Sequence, residues 1–199
     1  AKDFWLESAR EPRSELKMND SPKHGFKMPP DQQAIRDKCF HPSGTFVEFS
    51  KEEIEQSISA RFEKIARMYP DRLAVKMGDR ALTYDQLNHA ANRIARGILD
   101  SQGPQPEPVI VLFEQGVEAI AAILGVLKAG KFYVPVNPSF PSARIAAIVN
   151  DAQPGLLITD NKNIAVARNA TKNLLNIDEI NANVSNENLS LPLSPDDLA

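Results

Sequence analysis

The chain has 199 residues, 42% of them hydrophobic and 25% charged, with a net charge of −3. Those proportions are ordinary for a globular domain, and the slightly acidic balance argues against a nucleic-acid surface. A single cysteine, Cys39, excludes an internal disulfide framework, and the longest apolar run, Ala119 to Leu127, is too short to span a bilayer.

The N-terminus lacks the basic-then-apolar pattern of a secretion signal, so the cytoplasm is the expected compartment. Three Asn-x-Ser/Thr triplets, at Asn169, Asn183 and Asn188, are read as products of local asparagine richness. Residues 1–49 are polar and rich in proline, the composition of a linker or N-terminal extension with no core of its own. Phe4, Trp5 and Leu6 are expected to pack on the following domain rather than dock a partner. Cys39 and His41 stand two apart with no second pair to complete a metal site. His24 and His89 have no partner in sequence.

From residue 50 onward the pattern is periodic. Ser50 and Glu53 form a capping pair for a helix whose face is Ile54, Ile58, Phe62, Ile65 and Tyr69, stopped by Pro70. Two short strands, Leu73 to Met77 and Ala81 to Tyr84, flank Gly78-Asp79 as a hairpin. Thr83 and Gln86 cap a second helix with the stripe Leu87, Ala91, Ile94, Ala95 and Ile98, ending near Asp100. Pro108 to Phe113 is a continuous apolar strand, of the kind buried on both faces.

The centre of the chain is Gly116 to Pro141. Val117, Ile120, Ala121, Leu124 and Leu127 recur at helical spacing, and further apolar residues fill most other faces, so this helix packs on more than one side. Lys128 falls in its last turn, where a cation suits the helix dipole, and Gly130 closes it. Phe132 to Val136 is the next strand, with Pro135 expected to end its ladder early. Ser139 and Pro141 open a helix with face Ile145, Ile148 and Val149, and Leu156 to Thr159 is a strand. Beyond Asp160 the signal weakens to a short strand over Leu174 to Ile177 and a polar connection over Asn181 to Pro195. Strand, helix, strand, helix, strand implies an α/β fold with a parallel sheet and flanking helices.

Gly125 to Lys131 has the spacing of a phosphate loop, but Phe132 stands where the magnesium-holding Ser or Thr belongs. The order is also helix to strand, whereas a phosphate loop leaves a strand and opens a helix. No Gly-x-Gly-x-x-Gly follows any strand, which weakens an unrelated dinucleotide-binding domain. The tandem carboxylates Asp196-Asp197 read as a solvated turn, with no third ligand nearby. The residues themselves therefore assign no catalytic, cofactor-binding or metal-ligating position.

Leu82-Thr83-Tyr84-Asp85-Gln86-Leu87-Asn88 resembles the first core motif of the adenylation domains of nonribosomal peptide synthetases. Leu127-Lys128-Ala129-Gly130, with Tyr133-Val134-Pro135-Val136 and Pro138, resembles the second. Arg72-Leu73-Ala74-Val75 and Pro195-Asp196-Asp197-Leu198-Ala199 fit the segments before the first and third motifs. Lys131 and Phe132 depart from the family's usual Gly and small residue, and Asn137 from its usual Asp. The resemblance implies a partial N-terminal subdomain of the adenylate-forming fold. It also implies an ATP-dependent ligase that activates an amino or other carboxylic acid as acyl-AMP, with magnesium, and passes it to phosphopantetheine on a carrier domain. The family's phosphate loop, substrate pocket and lid lie past Ala199, so these residues are expected to be scaffold and inactive alone. An acyl-CoA synthetase or fatty acyl-AMP ligase, or a non-catalytic docking module, remain the alternatives.

Overall fold

The computed structural model describes residues 55–189 and 191. The readings on Phe4 to Leu6, His24, Cys39, His41, the Ser50–Glu53 cap and Asp196-Asp197 lie outside those residues. Helix α1 (Ile58–Met68) leads to the strands β1 (Leu73–Met77) and β2 (Arg80–Thr83), then α2 (Tyr84–Gln102), β3 (Pro108–Leu112) and α3 (Val117–Lys128). Strand β4 (Phe132–Val136), α4 (Ser142–Ala152), β5 (Leu156–Thr159), α5 (Ile164–Ala170), β6 (Leu174–Asn176) and a 3-10 turn (Ile177–Glu179) complete it.

β1 and β2 form an antiparallel hairpin around Gly78-Asp79, and Gly78 takes positive φ. The other four strands make a parallel sheet in the order β4-β3-β5-β6. Its two faces bury different residues because side chains alternate along a strand. Val109 and Val111 of β3 pack against α2 and α3, whereas Ile110 and Leu112 pack against Ile145 of α4 and Ala167 of α5. The sheet is thus covered by helices on both sides, which is why β3 and β5 read as unbroken apolar runs.

The capping box of α2 forms as expected: the Gln86 N–H donates to Thr83 Oγ1 at 3.3 Å and the Thr83 N–H to Gln86 Oε1 at 3.0 Å. Thr83 thereby ends β2, and Tyr84 belongs to the helix. All five residues of the α2 stripe are buried. α2 and α3 cross closely at Gly125, where a Cβ would stand 2.6 Å from Ile94 Cγ2.

Several expectations are corrected. α1 begins at Ile58, capped by Ser57, whose side chain accepts from the Ala60 N–H. Ile58 is 56% exposed and Ile120 41%, so neither lies on a buried face; α1 buries Ser59 and Ala66, and α3 buries Val117, Ala121 and Leu124. Pro135 does not end the ladder, which continues to Val136 opposite Leu112. β4 is an edge strand of this sheet, where a missing donor costs no pairing on the outer side. Helix α5 was not anticipated, since seven residues without a side-chain cap carry too little periodicity. His89 does have a neighbour, with Nδ1 3.2 Å from Asp85 one turn earlier.

Candidate functional site

In an open parallel sheet a ligand-binding crevice forms outside the carboxyl ends of adjacent strands whose connections run in opposite directions. Here those strands are β3 and β5. From β3 the chain crosses through α3 to β4 on one side, and from β5 it crosses through α5 to β6 on the other. The crevice is bounded by residues 113–116 and 160–163. Thr159 at its base is buried and donates from Oγ1 to the Leu112 carbonyl at 3.0 Å, tying the two strand ends together.

Every carboxylate around this crevice is engaged by a protein group. Glu114 pairs with Lys162 across the mouth, and that bond lifts the Lys162 ammonium above its ordinary range. Asp160 Oδ1 accepts the Asn163 N–H at 2.9 Å and its amide at 2.8 Å. Asp178 accepts the Asn161 N–H at 2.8 Å, and Glu118 pairs with Arg80. Beside the crevice lies a cleft of about 510 Å³ lined by Arg80, Gln86, His89, Arg93, Glu118 and Asp178 over apolar residues of α2 and α3. These residues come from segments up to about a hundred positions apart, so no local motif announces the cleft.

A triphosphate needs positive groups and N–H donors aimed at it, and magnesium to spread its charge. The three cations between Pro108 and Thr159 are Lys128, Lys131 and Arg144, and each is committed elsewhere. Lys128 is buried and pairs with Glu63 of α1, with Phe62 beside it. Burial pulls its ammonium below the ordinary lysine range, against the bond and charge of Glu63. Lys131 is also buried and donates to the Gln105 carbonyl at 2.6 Å; burial lowers its pKa too, with Glu107 opposing. Arg144 lies over the Phe140 ring at 4.1 Å. Lys128 does fall in the last turn of α3, as its place in the sequence implies, and its charge there is an interior one.

Gly125 sits inside α3 against Ile94, and Lys131 points into the protein, so the phosphate-loop-like spacing has no loop geometry. No group of three or more His, Cys, Asp or Glu suited to a metal occurs among the described residues. With its carboxylates already paired or capping, the crevice does not fit magnesium. No helix among the described residues is long and apolar enough to cross a membrane.

The comparisons with known proteins agree with this scaffold. The family model described as AMP-binding enzyme matches residues 62–198. The chain is 34% identical over 166 residues to tyrocidine synthase 1 of Brevibacillus parabrevis, a match covering 75% of this chain and 15% of that protein. The structure of the nonribosomal peptide synthetase FmoA3 in its α-methyl-L-serine-AMP-bound form superposes with a TM-score of 0.66 at 30% identity, over 72% of this chain and 16% of that one. The fatty acid AMP ligase from Legionella pneumophila superposes with a TM-score of 0.56 at 25% identity, over 67% of this chain and 26% of that one. The chain thus spans a small part of the proteins it matches. The chain belongs to the AMP-binding enzyme family and corresponds to the N-terminal part of an adenylation domain of the nonribosomal peptide synthetase kind.

Proposed function

We propose that this chain is the scaffold portion of an ATP-dependent adenylation domain. The whole domain would join an amino or other carboxylic acid to AMP, releasing pyrophosphate, and pass the acyl group to a phosphopantetheine thiol on a carrier domain. Residues 50–199 would belong to that domain, residues 1–49 to an extension before it, and the protein to the cytoplasm. The observation that carries the reading is the family match over 62–198 on a sheet whose carboxyl-end carboxylates, among the described residues, are ion-paired or accept protein N–H groups. Such a sheet backs an active site without supplying its reacting groups. The triphosphate-binding groups, the acid pocket and magnesium ligation then fall to residues outside the described ones. A fatty acyl-AMP ligase is the second reading, supported by the likeness to the Legionella pneumophila enzyme.

Pyrophosphate–ATP exchange with a panel of amino, aryl and fatty acids tests both readings. The 199 residues alone should give no exchange, and a form extended to the length of a complete adenylation domain should give exchange with at least one amino acid. Exchange with fatty acids alone selects the second reading. Exchange by the short chain that is lost in Lys131→Ala refutes the scaffold role.

A further inference from the structure

Helix α2 carries a polar stripe along one border of its apolar core face. Asn88, Asn92 and Arg96 follow one another at four-residue spacing, one above the next on the same face. Asn92 is fully buried, which is unusual for a mid-helix amide and costly unless its groups are bonded. Its Nδ2 finds both its partners in a distant segment with no regular secondary structure, while its Oδ1 is buried without a partner among the described residues. The Asn92 amide donates to the Asn186 carbonyl at 2.7 Å and to Asn188 Oδ1 at 2.9 Å. Asn88 donates to the same Asn188 oxygen at 2.9 Å. Arg96 donates to the carbonyls of Ser185 and Glu187, both at 3.0 Å. Leu189, the next residue, packs against the apolar core.

Three of these five bonds go to main-chain carbonyls and two to the Asn188 side chain, so the stripe holds the path of the segment largely irrespective of its side chains. The Asn92 amide nitrogen faces two oxygens, which dictates its orientation. We propose that Asn92, flanked by Asn88 and Arg96, is a positioning residue that clamps residues 185–188 to α2 and fixes where the chain departs toward the triphosphate-binding groups. This rests on the adenylation reading, because those groups are expected after the clamp.

Two measurements test the proposal. The first is cleavage of the 199-residue chain by a glutamyl endopeptidase, followed by mass spectrometry. Glu187 lies in the clamped segment, and Glu179, exposed in the 3-10 turn, is the internal reference. Asn92→Leu, which keeps the volume and removes the donors, should speed cleavage after Glu187 at least about tenfold relative to cleavage after Glu179. Arg96→Ala, on a half-buried residue at the stripe's edge, should show the same trend and covers the case in which Asn92→Leu fails to fold. The second is pyrophosphate–ATP exchange by the extended form. Here Arg96→Ala should raise the KM for ATP, with the KM for the acid and the Tm close to wild type. Cleavage ratios unchanged in both variants overturn the clamp. Faster cleavage with an unchanged KM for ATP overturns its positioning role. An extended wild-type protein without exchange refutes the adenylation reading, while the cleavage ratios still decide the clamp.

Discussion

Replacing Glu63 by Gln should destabilise this domain far more than the loss of an ordinary surface ion pair. Exposed pairs contribute up to about 1 kcal/mol. Here the Lys128 side chain is 1% exposed and Glu63 18%, so the variant leaves an ammonium in the interior without its counter-charge. Breaking a buried pair in this way costs about 3–5 kcal/mol. An independent ceiling comes from proton release. Neutralising a lysine of ordinary pKa, about 10.4, at pH 7 costs about 4.6 kcal/mol, and the chain can always take that route. An expected loss of about 3–4.5 kcal/mol is a large fraction of the 5–15 kcal/mol typical of a domain. In thermal terms that is about 6–18 °C for a domain of this size.

The pH dependence has a definite sign. Lys128 in the folded state already lies below its unfolded value, because burial outweighs Glu63, and Glu63→Gln lowers it further. Between the folded and unfolded pKa values the unfolded chain binds more protons, so stability rises with pH in that window. The deficit of Glu63→Gln against wild type should therefore shrink between pH 7 and pH 10. The double variant Glu63→Leu with Lys128→Met, which removes both charges and keeps the volume, should recover most of the loss. Urea unfolding of the three proteins at several pH values measures each quantity. A Glu63→Gln variant within 1 kcal/mol of wild type, with no pH dependence to its deficit, would refute an interior charge at Lys128.

Leu124→Asp should unfold the domain, since Leu124 is buried between α2 and the sheet and an unpaired interior carboxylate costs several kcal/mol; a soluble variant with unchanged Tm contradicts that placement. Gly125→Ala should cost about 1–3 kcal/mol in urea unfolding, because the new methyl meets Ile94 at 2.6 and 2.8 Å and the Ala91 carbonyl at 3.2 Å. An unchanged midpoint means that α2 and α3 do not cross there. Lys131→Met should remove part of the rise in stability with alkaline pH: burial lowers the folded pKa of Lys131, so wild type gains stability as pH climbs from that value toward about 10.4 and the variant does not. Equal slopes in the two proteins rule out an interior ammonium at that position.

Much of this architecture follows from local chemistry. The alternation from Pro108 to Thr159 has strands apolar throughout and helices of matching length, and strand β5 falls on the residues that its apolar run marks. The Thr83–Gln86 box and the α2 stripe are legible because capping and helical periodicity act within a few residues. Tertiary packing decides whatever depends on groups distant in sequence. Lys128 and Lys131 resemble solvated cations in the chain; they are interior because α1 brings Glu63 to one and the segment before β3 brings the Gln105 carbonyl to the other. Asn92 resembles an ordinary surface amide until residues 186–188, nearly a hundred positions later, close over it. Lys162 and Glu114 meet only because β5 lies beside β3 rather than beside β4. Hydrophobic spacing dictates which face of an element is buried, but it carries no information about which polar group the fold will place opposite, and that placement decides the surroundings of Lys128 and Lys131 and the engagement of Glu114, Asp160 and Asp178 at the sheet's carboxyl end.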